Sequence, residues 1–403
     1  MANSRITSSF ITREFLSVLH SNCAVLRSID HSWNKFFGKS MGPVGKAGNT
    51  IGIRKPVLGN IRTSWGMDQS DVIEESIPLT IDQITGVDLN FSDADLSLTT
   101  EDFSERCIVP NAMKMASHID MVSGTYIKNK VFNTVKSSAF GTAPNALSYF
   151  LSAGQKIKEG LAPMDSPLNC IVSPRTEAAM VNALAGQYNP QNNISEMYLK
   201  GQMSRAAGFD WYTSQTLPAH AHGTCTTGTS PAVSGYTETT MTISNVTSGG
   251  TLNAGDTFTV SGCYAVNLET KQTYANLQQF VVTTTTTATG TEATVSVSPA
   301  IVLTGPRQTV SATPVGGTVT FDQTTANQVA QTDLILHEKS FAVAFADLEL
   351  PRNMDMASVL SQDGISIRFI RGYDIVNARQ LSRMDAFWGI AATRPEWAAK
   401  ILS

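Results

Sequence analysis

The sequence predicts an α+β protein in which a charge-poor antiparallel β segment interrupts a mixed α/β host. Three observations carry this. Apolar residues recur at helical spacing near residues 8–27 and 110–135. They alternate with polar residues at period two over residues 46–95, and again beyond residue 340. Between Gly223 and Ala330 the charges nearly vanish, and short alternating strands follow one another with turn signals between them.

In "SSFITREFLSVLHSNCAVLR", Ile11, Phe15, Val18, Leu19, Val25 and Leu26 form one apolar stripe of a helix. Such a stripe packs on its own core or on a neighbouring chain. "NTIGIRKP" alternates around Ile51 and Ile53, and "ESIPLTIDQITGVDLNF" alternates through Ile77, Leu79 and Ile81, then Val87, Leu89 and Phe91. The polar "GNIRTSWGMDQSD" between them makes the pair an extended hairpin, with Pro56 and Pro78 placing part of it at a sheet edge. "TTEDFSER" has the threonines and acidic residues of a helix start. Pro110 then opens the long helix "PNAMKMASHIDMVSGTYIKNKVFNTV", whose apolar face is Ala112, Met115, Ile119, Val122 and Tyr126. Gly124 weakens it by about 1 kcal/mol relative to alanine.

Residues 140–222 read as mixed α/β. "NCIVSP" is a buried strand, "RTEAAMVNALAG" a helix stopped at Gly186, and "AAGFDWYTSQTLP" a loop and strand. The charge-poor stretch carries strand signals at Met241/Ile243, Phe258/Val260, Phe280/Val282, Val295/Val297 and Val319/Phe321. The turns between them are "SGG", "NAGD", "TGPR" and "VGG". This pattern predicts a small barrel or sandwich. Its "VVTTTTTATG" is a strand and its exit turn, since threonine favours strands. After residue 331, "LILHEKSFAVAFADLELP" is a strand. "GISIRFIRGYDI" and "SRMDAFWGIAAT" form a hairpin turning near 376–381, and Pro395 opens a short terminal helix, "PEWAAKIL".

Composition narrows the function. Charged residues are 15% of 403, where about 25% is usual. A surface so sparsely charged suits burial against other subunits, or a secreted β-rich protein. The net charge of −4 argues against general wrapping of nucleic acid, which needs a basic footprint. The first residues, "MANSRITSSFITREF", lack the pattern of a signal peptide. No apolar run approaches the roughly 18 residues of a membrane span. The five cysteines are odd in number, contain no CxxC, and read as reduced thiols of a cytoplasmic product.

The search for chemistry is nearly empty. "FGKS" ends like a phosphate loop, but Trp33 stands where glycine is needed. His220 and His222 could hold a metal as an i, i+2 pair, yet no further ligand lies near in sequence, and a loop pair is the simpler reading. His118 lies just off the apolar stripe of its helix, Cys170 sits in a buried strand, and no GxSxG or HExxH occurs. The sequons at Asn193 and Asn245 matter only in a secreted protein. No catalytic residue, metal or cofactor is expected.

The end of the chain carries a resemblance. "GYDIVNARQLSRMDAFWGIAATRPEWAAKI" resembles the C-terminal signature of short-tailed phage coat proteins through Tyr373, Asp374, Ile375, Arg383, Asp385, Ala386, Phe387, Trp388, Gly389, Arg394, Pro395 and Glu396. "AGDTFTVSGCYAVNLETKQTYANLQQFVV" is similar to that family's inserted domain. "LILHEKSFAVAFADLELP" and "RAAGFDWYTSQTLP" are similar to its connecting strands. The likeness spans most of the chain beyond about residue 85 and is loosest in the N-terminal arm and hairpin tip.

The resemblance implies the Hong Kong 97-type capsid fold with an inserted antiparallel β-barrel. Residues 1–45 would be the N-terminal arm, 46–98 the E-loop, and 99–140 the spine helix of the peripheral domain. Residues 141–230 would be the first part of the axial domain, 231–330 the inserted barrel, and 331–403 the return strands and terminal helix. It implies a major capsid protein, forming an icosahedral shell of pentamers and hexamers. Its partners would be its own copies, a scaffolding protein, a portal protein at one vertex and double-stranded DNA on the inner face, with no membrane. Assembly would occur in the bacterial cytoplasm. Phe15, Leu19, Arg54, Ile77, Leu79 and Ile81 are the expected subunit contacts, with the hairpin residues Ile77, Leu79 and Ile81 exposed. The competing class is a secreted or virion-surface protein whose β segment holds glycan.

Overall fold

A computed structural model describes residues 8–37, 48–57, 59, 65–66, 74–92, 109–137, 140–184, 205–225, 230–323, 325–351, 356–377 and 379–403. The expected helix start at 99–106, most of the hairpin tip, Gly186 and the sequon at Asn193 lie outside these residues. The chain forms two compact units. The first holds Met1–Ile53, Ser76–Ser123 and Phe341–Thr393; the second holds Arg54–Glu75, Gly124–Ser340 and Arg394–Ser403. The helix Val109–Lys130 contains the boundary.

The first unit is organised by one 14-residue strand, Arg379–Ala392. Gln83–Ser92 pairs along one of its edges. Ile365–Asp374 and then Phe341–Ala346 pair along the other, and Met356–Gln362 extends the sheet. Alternation drives this arrangement: Met384, Ala386 and Trp388 are buried while Leu381 and Arg383 face out. Trp388 stacks on Phe345 and donates its indole N–H to Thr85 Oγ1 at 3.2 Å. Gly389 is dictated by a crossing chain, because a Cβ there would stand 2.0 Å from the Thr80 carbonyl oxygen.

The N-terminal helical stretch is broken at Cys23 into Ser8–Asn22 and Ala24–Arg27. The buried Asp120 carboxylate accepts the freed N–H groups of Ala24 (3.0 Å) and Val25 (3.1 Å), which the short helix cannot satisfy internally. The extended-hairpin strands are Thr50–Arg54 and Ser76–Thr80.

In the second unit a six-stranded sheet runs in the order Thr134–Lys136, Ala398–Leu402, Thr332–Leu336, Leu168–Val172, Phe209–Thr213, Arg205–Ala206. The helices Leu147–Glu159 and Pro174–Leu184 supply Phe150, Ile157 and Met180 to its core, beside Trp211, Ile335 and Ile401. Gly124, expected as a weak spot, is a close approach: a Cβ would stand 3.0 Å from the Pro218 ring.

The end of the chain corrects an expectation. "PEWAAKIL" is a 3-10 turn, Pro395–Trp397, followed by the strand Ala398–Leu402. That strand is wholly buried, parallel to Thr134–Lys136 on one side and antiparallel to Thr332–Leu336 on the other. Two-sided sheet pairing overrides the modest helical preference of Ala-Ala-Lys-Ile-Leu.

The charge-poor region forms a six-stranded antiparallel sheet in the order Val319–Phe321, Thr257–Val266, Thr273–Val282, Glu292–Ser298, Thr240–Ser244, Ala232–Tyr236. Its two edges are joined by backbone hydrogen bonds, Val233 N–H to Gly317 O, Gly316 N–H to Val233 O, and Val319 N–H to Pro231 O. Phe258, Phe280 and Phe321 anchor a core drawn wholly from residues 225–321. The threonine run leaves the strand at Thr283 and pairs again at Thr286–Thr287 with Thr251–Leu252. Thr285 Oγ1 accepts the Ala254 N–H, so the hydroxyls cap backbone groups at the turn. The cysteines at 23, 170, 225 and 263 are free and buried.

Candidate interaction surfaces and a buried polar junction

The signature residues build two local structures, one in each unit. In the first, Asp385 is fully buried and accepts from Arg368 at 2.7 Å through one oxygen and from Arg383 at 2.7 Å through the other. Arg383 also stands 3.6 Å from Asp88 on the neighbouring strand. Gly86 makes room for this cluster, since a Cβ there would lie 2.8 Å from Asp385 Oδ1. At the hairpin end, Asp374 folds the turn. Its Oδ1 accepts the N–H groups of Val376 (3.1 Å) and Asn377 (3.4 Å), and its Oδ2 accepts Asn377 Nδ2 (2.7 Å) and Arg379 Nε (3.1 Å). The bonds from Asn377 and Arg379 hold its carboxyl below the usual range. Tyr373 pairs with Gln380 in the same ladder. In the second unit the Arg394 guanidinium lies over the Trp397 ring at 4.6 Å and 3.6 Å from Glu396, while Pro395 opens the turn into the last strand.

The residues expected as subunit contacts are placed differently. Phe15 (1% exposed), Leu19 (0%), Leu79 (0%) and Ile81 (2%) are buried within the chain, and Ile77 is half-buried. Leu79 and Ile81 pack with Ile53, Ala342, Ala344 and Ala391, so the expectation that the hairpin residues stand exposed is corrected. Alternation marks a residue for burial without saying against what. Arg54 is exposed, 3.7 Å from Glu74.

The second unit also holds a junction of buried charge between the charge-poor sheet and its host. His220 and His222 are expected in a loop; His220 instead opens the short strand His220–Ala221, which pairs with Val329–Ala330, and His222 follows it. Both rings converge on Asp256 Oδ1, His220 Nε2 at 2.8 Å and His222 Nδ1 at 2.9 Å. Asp256 Oδ2 accepts the N–H groups of Asn253 (2.8 Å) and Gly223 (3.2 Å). Burial opposes the Asp256 charge, but the histidine hydrogen bonds outweigh it and hold the carboxyl well below its usual range. Burial likewise pushes His220 down to about 4 despite the carboxylate. His222 Nε2 lies 3.1 Å from the Cys225 carbonyl oxygen.

Beside them Lys400, on the last strand, donates to Gly255 O at 2.7 Å and to Lys128 O at 3.1 Å, and its burial pushes the ammonium down to about 7. A second contact uses Gln279, whose amide accepts the Thr134 N–H (2.9 Å) and donates to the Thr134 carbonyl (3.0 Å), imitating a strand partner for the sheet edge. Lys156 donates to the same Gln279 oxygen at 2.6 Å. Asp256 and Asp322 are two of the few charges in the charge-poor stretch, and both belong to this junction. Their scarcity was the available signal. Among the described residues no group of three or more His, Cys, Asp or Glu side chains is arranged so that it could hold a metal ion. The arrangement joins the charge-poor sheet to its host through hydrogen bonds.

The model of the P22 coat protein family (P22 coat protein, gene protein 5) matches residues 46–401, which include both local structures. The chain belongs to the P22 coat protein family. It is a phage major capsid protein, a structural component of the icosahedral head, and its place is the virion capsid. No curated protein matches it in sequence. Solved structures similar to this coat protein include one from Mycobacterium phage Che8 (9% identity, 94% of this chain and 90% of that chain, TM-score 0.49). Others are the capsid of Ralstonia phage GP4 (8%, 91% and 86%, 0.45) and that of the cyanophage P-SCSP1u (11%, 88% and 84%, 0.43).

Proposed function

We propose that this coat protein assembles as pentamers and hexamers into a procapsid around a scaffolding protein, with a portal protein at one vertex, and that the head then encloses double-stranded DNA. Assembly takes place in the bacterial cytoplasm. The reading is carried by the family match over residues 46–401. In this fold, Hong Kong 97-type, residues 1–45 serve as the N-terminal arm, 46–98 as the E-loop, and 99–140 as the peripheral spine. Residues 141–230 and 331–403 build the axial and returning elements, and 231–330 form an inserted β-barrel. Arg54 and Ile77, at the base of the E-loop, contact neighbouring subunits. Many weak contacts closed together suit such a shell: a millimolar contact is worth only about −4 kcal/mol, and effective concentration multiplies several of them.

The test is expression of the full chain with and without a scaffolding protein, followed by sedimentation and negative-stain microscopy. Closed shells, or rings of five and six, are expected in the co-expression. Discrete monomers under both conditions would overturn the reading.

A further inference from the structure

Where the charge-poor sheet meets its host, three residues converge on the side-chain amide of Gln279. Lys156 Nζ, from the helix Leu147–Glu159, lies 2.6 Å from the amide oxygen Oε1. The carbonyl carbon is one bond of about 1.2 Å beyond that oxygen, so it stands within about 3.8 Å of the nitrogen. The Thr134 N–H donates to the same oxygen at 2.9 Å. It aims a fixed backbone dipole at the atom that gains charge when a nucleophile adds to the carbon. On the other side of the amide, Gln279 Nε2 donates to Asp322 Oδ2 at 3.2 Å, and Thr257 Oγ1 donates to that oxygen at 2.7 Å. The Thr134 carbonyl accepts from both nitrogens, Lys156 Nζ at 2.7 Å and Gln279 Nε2 at 3.0 Å. An entering and a leaving nitrogen are therefore held side by side at one acceptor.

Gln279 already completes the sheet edge through its two bonds to Thr134, so the lysine is not needed for that contact. Burial lowers the Lys156 ammonium and raises the Asp322 carboxyl. Both shifts favour a free amine beside a carboxylic acid, the forms that exchange at an amide uses. The exchange balances without a co-reactant. The Lys156 amine attacks Gln279 Cδ, and its electron pair forms the new N–C bond while the C=O pair moves onto Oε1 beside the Thr134 N–H. That pair then restores the C=O as the Cδ–Nε2 bond breaks. Asp322 gives a proton to the departing Nε2 and takes one from the lysine nitrogen, so ammonia leaves and the acid is regenerated.

We propose that Lys156 and Gln279 join in an intramolecular isopeptide bond, with Asp322 as the proton-transferring catalytic residue and the Thr134 N–H as the oxyanion donor. The bond ties the helix Leu147–Glu159 to the strand Thr273–Val282 and fastens the charge-poor sheet covalently to its host, across 123 residues of sequence. It forms within one chain and does not depend on shell assembly. The test is the intact mass of the purified full chain after overnight incubation, followed by tandem mass spectrometry of its tryptic peptides. The expected mass is one ammonia below that of the sequence, with a branched peptide joining the segments around Lys156 and Gln279 and no cleavage after Lys156. Gln279→Ala and Lys156→Arg are expected to show no such loss. Asp322→Asn, nearly equal in shape, is expected to form the bond at least about tenfold more slowly. A wild-type chain of full sequence mass would overturn the inference, and so would an ammonia loss that maps to other residues. Bond formation at the wild-type rate in Asp322→Asn would overturn the role given to Asp322.

Discussion

The core of the charge-poor sheet is closed to solvent and the junction at its foot largely so, yet they are built from opposite chemistry. The core is Phe258, Phe280, Phe321, Val295, Ile243 and their neighbours, and its stability comes from non-directional removal of apolar area from water. The foot is Asp256, His220, His222, Lys400, Lys128, Gln279 and Lys156, each meeting a named partner at hydrogen-bond distance. An apolar core accepts substitutions that keep volume and pattern. A buried polar junction does not, because removing one partner strands the other in a medium that cannot solvate it. The core makes the sheet stable; the foot fixes where it sits on its host.

The strongest way to break this contrast is Asp256→Ala. It leaves two histidines and two backbone N–H groups without their acceptor, and a loss of about 3–5 kcal/mol is expected. Urea denaturation of the soluble chain would measure it, and a loss below about 1 kcal/mol would remove the special status of the foot. Acid acts on the same group of residues. His220 is held near 4 in the folded protein against about 6.5 unfolded, so the unfolded chain binds more protons between these values. Stability therefore falls as pH drops from about 6.5 to about 4, by up to about tenfold in the folding constant per pH unit. Below that window Asp256, whose folded value is depressed, adds its own loss. The slope between 6.5 and 4 should flatten in His220→Gln, and an unchanged slope would assign it elsewhere. The smallest effect is expected in the apolar core, where Ile243→Val should lower stability by about 0.5–1.5 kcal/mol. A loss there as large as that of Asp256→Ala would erase the distinction.

The sequence displayed the elements better than their partners. Period-two alternation located the long strand at 379–392 and its hairpin, and scarcity of charge located the second sheet. The same alternation could not say that Leu79 and Ile81 pack on Ala342, Ala344 and Ala391 of their own unit, because that pairing joins segments far apart in the chain. "AAKIL" reads as helix locally and becomes strand through two neighbours that no local pattern names. The histidine pair is equally mute alone, since its carboxylate lies 36 residues from His220. The signature drew attention to Asp374 and Asp385, which accept hydrogen bonds at the hairpin turn and from Arg368 and Arg383.

The last strand of the second unit has a kinetic consequence. Lys400 reaches the carbonyl of Lys128 across 272 residues of chain, and its strand runs parallel to Thr134–Lys136. Closing so long a loop is entropically slow, and parallel pairing gains nothing until it is closed. Antiparallel neighbours such as Thr257–Val266 and Thr273–Val282 lie only a short turn apart and can form early. Once they have collapsed, about a hundred residues of intervening chain become a compact body that presents Gly255 to the lysine. The far-separated strands are then searching across a much shorter effective tether.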